Sequence, residues 1–115
     1  MKRDYKLRIQ DILESIVAIE SYITNKNEDD FYNNRLIQDA VIRRLEIIGE
    51  ATKNIPEKVR TKYPDIPWKK MAGLRDVAIH SYVDLVVKRV WNTIVKELPK
   101  TKKLIELVIK DLESF

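Results

Sequence analysis

The sequence contains no cysteine, one histidine and only two glycines among its 115 residues. Without cysteine, the chain can form neither disulfides nor Cys-ligated metal clusters, and thiol catalysis is excluded. The single histidine, His80, cannot build a multi-histidine zinc site within one chain. Two isolated glycines, Gly49 and Gly73, leave no glycine-rich loop of the kind that cradles phosphates. These absences exclude several common classes of metalloenzyme and nucleotide-binding enzyme.

Long apolar runs are also missing. The longest aliphatic run, residues 16–19, is far shorter than the roughly 18 residues that a transmembrane helix needs. The first residues, Met1-Lys2-Arg3-Asp4, are not followed by the apolar segment of a signal peptide. We therefore expect a cytoplasmic protein with no membrane contact. The length fits one domain, since domains usually have about 100–200 residues, and we expect a single domain over residues 1–115.

The charge balance is mildly basic, with 22 Lys and Arg against 18 Asp and Glu, a net charge of +4. This excess permits an anionic partner such as RNA but does not require one, because a modest net charge also keeps domains soluble. Basic residues are frequent over residues 58–75 and again over 100–103. The part of the first stretch from Lys58 to Lys70 is either an electrostatic approach for RNA or a solvated short helix. The second either faces an acidic partner or serves solubility alone.

Apolar residues recur every three or four positions along the chain, which predicts amphipathic α-helices throughout. The first apolar stripe runs from Leu7 to Ile23, and the polar run 25–30 ends that helix. Asp30 is a candidate N-cap for the second helix, which should end near Asn54. No strand-like alternation or hairpin turn signal is present.

Prolines divide the second half of the chain. Pro56 and Pro67 are each placed to open a helix in its first turn, and Asp84 is a candidate N-cap for the helix that follows. Pro99 should end or kink that helix, because proline has no amide hydrogen and clashes with the preceding turn. The sequence predicts an all-α antiparallel bundle of about five to six helices.

The segment from Gly73 to Tyr82 contains the residues best suited to chemistry. Arginine binds phosphate oxygens with two parallel hydrogen bonds, and histidine transfers protons near neutral pH. Arg75 and His80 together are therefore a minimal set for cleaving a phosphodiester. A non-catalytic interpretation is also open: His80 contacts a carbonyl at a helix end, Arg75 pairs with a carboxylate such as Glu46, and Tyr82 packs at the surface.

Helix geometry gives a further hypothesis about this segment. Five residues of α-helix turn by about 140°, so Arg75 and His80 do not share a face of an unbroken helix. Gly73 and His80 do share a face, with Val77 between them, and a glycine allows another backbone to approach closely. We hypothesise that this face meets a second copy of the chain. A symmetric dimer would supply two histidines, one as base and one as acid.

The segment Arg75-Asp76-x3-His80-Ser81-Tyr82 resembles the Arg-x4-His-x-Tyr signature of HEPN-domain proteins, in particular the HepT toxins of HepT/MntA toxin–antitoxin pairs. The resemblance covers most of the chain, from about Asp30 to Pro99, in the order of the family. It is carried by four further stretches: Ala40-Val41-Ile42-Arg43-Arg44-Leu45-Glu46-Ile47-Ile48-Gly49-Glu50-Ala51, Ile66-Pro67-Trp68, Gly73-Leu74-Arg75, and Trp91 with Leu98-Pro99.

The resemblance implies an all-helical homodimer that acts as a metal-independent endoribonuclease without a cofactor. It implies that Arg75 binds the scissile phosphate, that His80 is the acid or base, and that Asp76 orients one of them. It further implies that a cognate MntA-like nucleotidyltransferase, the antitoxin, adds adenylyl groups to Tyr82. Most members have Asn after the motif Arg, whereas Asp76 places a negative charge beside the phosphate clamp.

Two alternatives follow from the remaining residues. Glu46 and Glu50 lie four residues apart on one helical face, so they either share a metal ion or pair with Arg43, Lys53 or Arg75.

The rival to the enzyme is a non-catalytic HEPN module that binds a nucleotidyltransferase or a nucleotide without cutting RNA.

Overall fold

A computed structural model describes residues 2–79 and 84–113 of the chain. These residues form seven α-helices and one π-helical turn, with no strand among them. The helices are α1 (Lys2–Tyr22), α2 (Glu28–Tyr32), α3 (Arg35–Lys53), α4 (Glu57–Lys62), α5 (Trp68–Ile79), α6 (Asp84–Asn92) and α7 (Leu98–Glu113), and the π-helical turn is Thr93–Glu97. The prediction of an all-α bundle is confirmed. No helix in the described ranges is both long and apolar enough to cross a bilayer.

Helix α3 lies at the centre of the bundle. Its most extensive contacts are with α5 and α1, and α1 in turn packs against α7. Most of the apolar residues in the predicted stripes of α1 and α3 are buried, although Leu7 at the start of the α1 stripe is 56% exposed, and α7 closes the same core. The core residues of these three helices are Ile9, Ile12, Ile16, Ile19, Val41, Leu45, Ile48, Ile105 and Val108.

The start of the second helix differs from the prediction. Asn27, not Asp30, is the N-cap of the short helix α2. Asp30 is the third residue of the helix and forms a reciprocal capping box with Asn27. The Asn27 side chain accepts a hydrogen bond from the Asp30 amide at 2.8 Å, and the Asp30 carboxylate accepts one from the Asn27 amide at 3.0 Å. Asn34 then caps α3 by accepting from the Ile37 amide at 3.0 Å. The prediction of Asp30 as the N-cap is wrong; asparagine and aspartate can both cap a helix, so residue type alone does not favour Asp30 over Asn27.

The end of α3 is held by a cation. The Arg60 guanidinium donates to the Thr52 carbonyl at 2.8 Å and to the Ile55 carbonyl at 3.2 Å. These carbonyls lie at or just past the last turn of α3, where helical partners are missing. Arg60 therefore has a structural role, which neither of the two interpretations of the basic stretch, an RNA approach or a solvated helix face, included.

Polar contacts also fix the outer helices. Lys102 on α7 donates to the Glu20 carboxylate on α1 at 2.8 Å. Tyr63, which follows α4, donates to the Asp111 carboxylate on α7. Burial, together with this hydrogen bond, raises the pKa of Tyr63 to about 12. The neutral phenol is thus the form that the fold stabilises.

Pro99 does not end the helix in which it lies. The α-helical geometry is interrupted earlier, by the π-helical turn Thr93–Glu97, and α7 then runs through Pro99 to Glu113. Proline at this position cannot donate to the Val95 carbonyl and would clash with it in a regular α-helix. A π-turn widens the helix, and we attribute its place here to that clash.

Candidate functional site

The described part of the candidate site lies where α5 crosses α3. Arg75 and Asp76 are on α5, close to its last residue, Ile79. The other two motif residues, His80 and Tyr82, lie outside the described residues, as does Ser81. The geometry therefore concerns Arg75, Asp76 and the surface of α3 that receives them.

An ion pair orients the Arg75 side chain. Its Nε lies 2.8 Å from Oε1 of Glu50 on α3. The Arg75 side chain remains 42% exposed and that of Glu50 50% exposed, so solvent screens the pair and it contributes at most about 1 kcal/mol to stability. The contact matters more for direction than for stability. It holds the guanidinium at the surface while leaving it accessible to an incoming anion.

The two glutamates of α3 have different partners. Glu46 pairs with Arg43 on its own helix, one turn away, whereas Glu50 reaches across to Arg75. The hypothesis that these carboxylates pair with Arg43 and Arg75 is confirmed. The suggested partner of Arg75 was Glu46, and the structure instead uses Glu50, one turn further along α3. Each carboxylate is thus neutralised by an arginine, which disfavours a shared cation.

Gly49 allows α3 and α5 to approach each other at Arg75. A Cβ atom added at Gly49 would lie 2.7 Å from the Arg75 backbone nitrogen and 2.8 Å from its Cβ. Such distances are well inside van der Waals contact, so any side chain at position 49 would push α5 away. A glycine within a helix usually has a packing reason, and this signal was present in the sequence without showing what the glycine contacts.

Gly73, for which the sequence suggested a close approach, has the opposite surroundings. A Cβ added at Gly73 would meet nothing within 4 Å in this chain. The close approach within the described residues is therefore at Gly49. The hypothesis that the Gly73 face meets a second copy of the chain stays a prediction.

The remaining polar and aromatic candidates have defined places. Asp76 is exposed beside Arg75. Trp68, at the start of α5, is 7% exposed and donates from Nε1 to the Tyr63 carbonyl at 3.0 Å. The Trp91 ring lies 5.4 Å from that of Phe31, centroid to centroid. Both tryptophans are thus structural, as their type favours.

Comparison with known proteins places the chain in a family. The chain matches the family described as ribonuclease HepT-like over residues 12–108. The chain belongs to the ribonuclease HepT-like family. This result confirms the resemblance seen in the sequence, and the predicted enzyme class, a ribonuclease, is that of the family. No solved structure matches the chain.

Individual HepT-like relatives are similar over nearly the whole chain. A candidate RNase of Methanocaldococcus jannaschii is 46% identical over 113 residues, covering 98% of this chain and 93% of the relative. A probable ribonuclease HepT of Thermococcus cleftensis is 42% identical over 110 residues, covering 96% and 100%. A second M. jannaschii protein, named as a gamma-glutamylcyclotransferase and candidate RNase, is 45% identical over 114 residues. This chain spans 51% of that longer relative.

Proposed function

We propose that this protein is the toxin of a toxin–antitoxin pair, a metal-independent endoribonuclease that acts on RNA in the cytoplasm. One observation carries the proposal. In a member of the ribonuclease HepT-like family, Arg75 is exposed and oriented by Glu50 at 2.8 Å, near the end of the helix that leads directly into His80. An accessible guanidinium and a histidine five residues later in the sequence supply the charge stabilisation and the proton transfer that phosphodiester cleavage uses.

The reaction needs no group beyond those of the chain and the RNA. His80 as base removes the proton of a ribose 2′-hydroxyl, and the 2′-oxygen attacks the adjacent phosphorus. The bond from phosphorus to the 5′-oxygen breaks, and an acid protonates that oxygen. The products are a 2′,3′-cyclic phosphate and a 5′-hydroxyl. Arg75 stabilises the negative charge that develops on the phosphoryl oxygens.

The acid in this scheme is His80 of a second copy. One chain supplies one histidine, so a base and an acid of this type require two chains. A homodimer with both His80 residues near its axis meets this requirement. Full activity in a protein held monomeric would contradict the composite site.

Asp76 and Tyr82 complete the proposal. Asp76 is exposed next to Arg75 and orients Arg75 or His80. Tyr82 is the residue to which a partner nucleotidyltransferase transfers adenylyl groups from ATP, releasing pyrophosphate. Each group adds a phosphate charge close to the RNA site and would repel the substrate. Modification of Tyr82 would therefore inhibit cleavage.

The first test is RNA cleavage in excess chelator by protein whose intact mass shows no adenylylation. We expect His80→Ala and Arg75→Ala to lower the cleavage rate by about 100-fold or more, because each removes a group that acts in the transition state. Arg43→Ala is the matched control, since Arg43 pairs with the neighbouring glutamate, Glu46. It should leave the rate unchanged.

Two results would contradict the proposal. Equal rates for the wild type and His80→Ala would exclude His80 as the acid or base. Absence of cleavage by folded, unmodified protein would favour the rival function, a HEPN module that binds a nucleotidyltransferase without cutting RNA. The second result would leave Tyr82 as a docking or modification position.

A further inference from the structure

A cavity with several charged residues in its wall lies on the face of α5 that carries Gly73. Its volume is about 450 Å³, within the range of roughly 300–1,000 Å³ that is typical of small-ligand sites. Two helical stripes face each other across it, each with its residues three and four positions apart. Lys70, Gly73, Leu74 and Val77 come from α5, and Arg89, Asn92, Thr93, Lys96 and Glu97 come from α6 and the π-helical turn.

The cavity carries a net positive charge. Three cations, Lys70, Arg89 and Lys96, and one anion, Glu97, line it. Lys70 lies 3.8 Å from Glu97, so these two charges offset each other. Among the described residues, no carboxylate lies within 4.0 Å of the charged group of Arg89 or Lys96. Two exposed cations therefore remain for an anion from outside.

A neighbouring cavity provides a comparison. It has a volume of about 290 Å³ and shares Lys70, Leu74, Thr93 and Glu97 with the first. Its other charged residues are Asp65 and Lys100, so its formal charges cancel. An anion is therefore expected in the larger cavity and not in the smaller one.

The backbone explains why the larger cavity is open. Gly73 has no side chain to fill it, and a Cβ there would meet nothing within 4 Å. On the opposite wall, the π-helical turn Thr93–Glu97 supplies Thr93 and Lys96. Single π-turns within helices are frequent at functional sites because they alter which side chains share a face.

We propose that this cavity binds one nucleotide of the RNA substrate, its phosphate held by Arg89 and Lys96 and its sugar or base resting on Gly73, Leu74 and Val77. The inference rests on the proposed ribonuclease function. Arg75 contacts Glu50 on the α3 side of α5, so the cavity does not contain Arg75. The bound nucleotide is one that flanks the cleavage site, and this assignment requires that the Gly73 face be open to RNA and not covered by a second copy of the chain.

The test measures binding without cleavage. The probe is a short single-stranded RNA that carries 2′-O-methyl groups, which remove the attacking hydroxyl. We expect the Arg89→Gln/Lys96→Gln double variant to bind about tenfold more weakly at low salt. We also expect the slope of log affinity against log salt to fall by about 0.7, because the two cations hold one phosphate and each neutralised phosphate on a single strand contributes about 0.7.

The control removes the same charge elsewhere. Arg8 and Lys103 are exposed on α1 and α7, and neither lines the cavity. The Arg8→Gln/Lys103→Gln variant should change affinity less than twofold and leave the salt slope unaltered. Gly73→Leu tests shape without changing charge, and it should weaken RNA binding while thermal melting shows an intact fold.

The outcomes separate this inference from the proposed function. If both double variants weakened RNA binding equally, the proposal that the cavity binds RNA would be overturned, since the result would show that only net charge matters. Wild-type RNA affinity in both Arg89→Gln/Lys96→Gln and Gly73→Leu would overturn it as well, even if wild-type protein cleaves RNA. Loss of binding confined to the cavity variants would support it, even if cleavage is never observed and the ribonuclease proposal fails.

Discussion

The two faces of α5 are built in opposite ways around the two glycines of the chain. On the α3 side, Gly49 lets the backbones meet so closely that an added Cβ would lie 2.7 Å from Arg75. On the other side, Gly73 borders a cavity of about 450 Å³. In both places what matters is that glycine has no side chain. At Gly49 this permits helix contact, and at Gly73 it leaves open space. Neither glycine has a positive φ, so backbone freedom explains neither.

This contrast suggests a division of roles within one helix. The closed face fixes Arg75, because Gly49 sets the helix spacing and Glu50 sets the direction of the guanidinium. The open face leaves cations of α6 and the π-helical turn accessible to a ligand. In the proposed function and the further inference, Arg75 on one face and the cavity on the other contact the same RNA strand. Substitutions at the two glycines and at Glu50 test each part separately.

The largest effect is expected from Gly49→Ala. The new methyl would overlap the Arg75 backbone and force α5 away from α3. Overpacking of this kind costs about 1–3 kcal/mol, partly offset by the gain of about 0.5–1 kcal/mol from replacing a helical glycine. We expect a lower free energy of unfolding in urea and a lower rate of RNA cleavage. Unchanged stability would show that α3 and α5 are not in tight contact at Arg75.

A smaller effect is expected from Glu50→Gln. The amide no longer attracts the Arg75 guanidinium, so Arg75 samples more orientations. We expect kcat for RNA cleavage to fall about fivefold, equivalent to about 1 kcal/mol, which is the upper value for an exposed ion pair. KM and the melting temperature should change little. Glu46→Gln is the matched control and should keep the wild-type kcat; an equal fall in both variants would remove the positioning role of Glu50.

The smallest effect, and of opposite sign, is expected from Gly73→Ala. A methyl group at position 73 enters open space, and alanine in a helix is more stable than glycine by about 0.5–1 kcal/mol. We expect the midpoint of urea unfolding to rise by the corresponding amount with the slope unchanged. Destabilisation would mean that the Gly73 face is occupied, as by a second copy of the chain. Protein concentration would then shift the midpoint.

Much of the fold followed from patterns within single segments. The apolar stripe of α1, the end of α3 near Asn54 and the start of α5 after Pro67 were all predicted, because each depends on neighbours within one or two turns. The start of α2 was predicted less well, since Asn27 and Asp30 compete for the same capping role. The π-helical turn before Pro99 was not predicted. A proline inside a helix indicates that the regular α-helical geometry is disturbed nearby. Whether the helix ends, kinks or forms a π-helical turn depends on how it packs.

The candidate site shows the same division between local and distant information. The pairing of Glu46 with Arg43 is a local helical contact and was anticipated from spacing alone. Arg75 pairs with Glu50 because of the relative position of α3 and α5 along their axes. No pattern within either helix indicates that position. The cations Arg89 and Lys96 were not singled out in the sequence, because they lie outside the basic stretches 58–75 and 100–103 and come near Lys70 only across the cavity.

The helical type of the elements, the end of α3, the start of α5 and the membership in the ribonuclease HepT-like family could be determined from the sequence. They arise from periodicity, caps, prolines and residue motifs, which act over short distances along the chain. The tight contact at Gly49, the partner of Arg75 and the open cavity at Gly73 came from the packing of α3, α5 and α6. They are relations between residues far apart in the chain, and their distances are fixed only when the core closes.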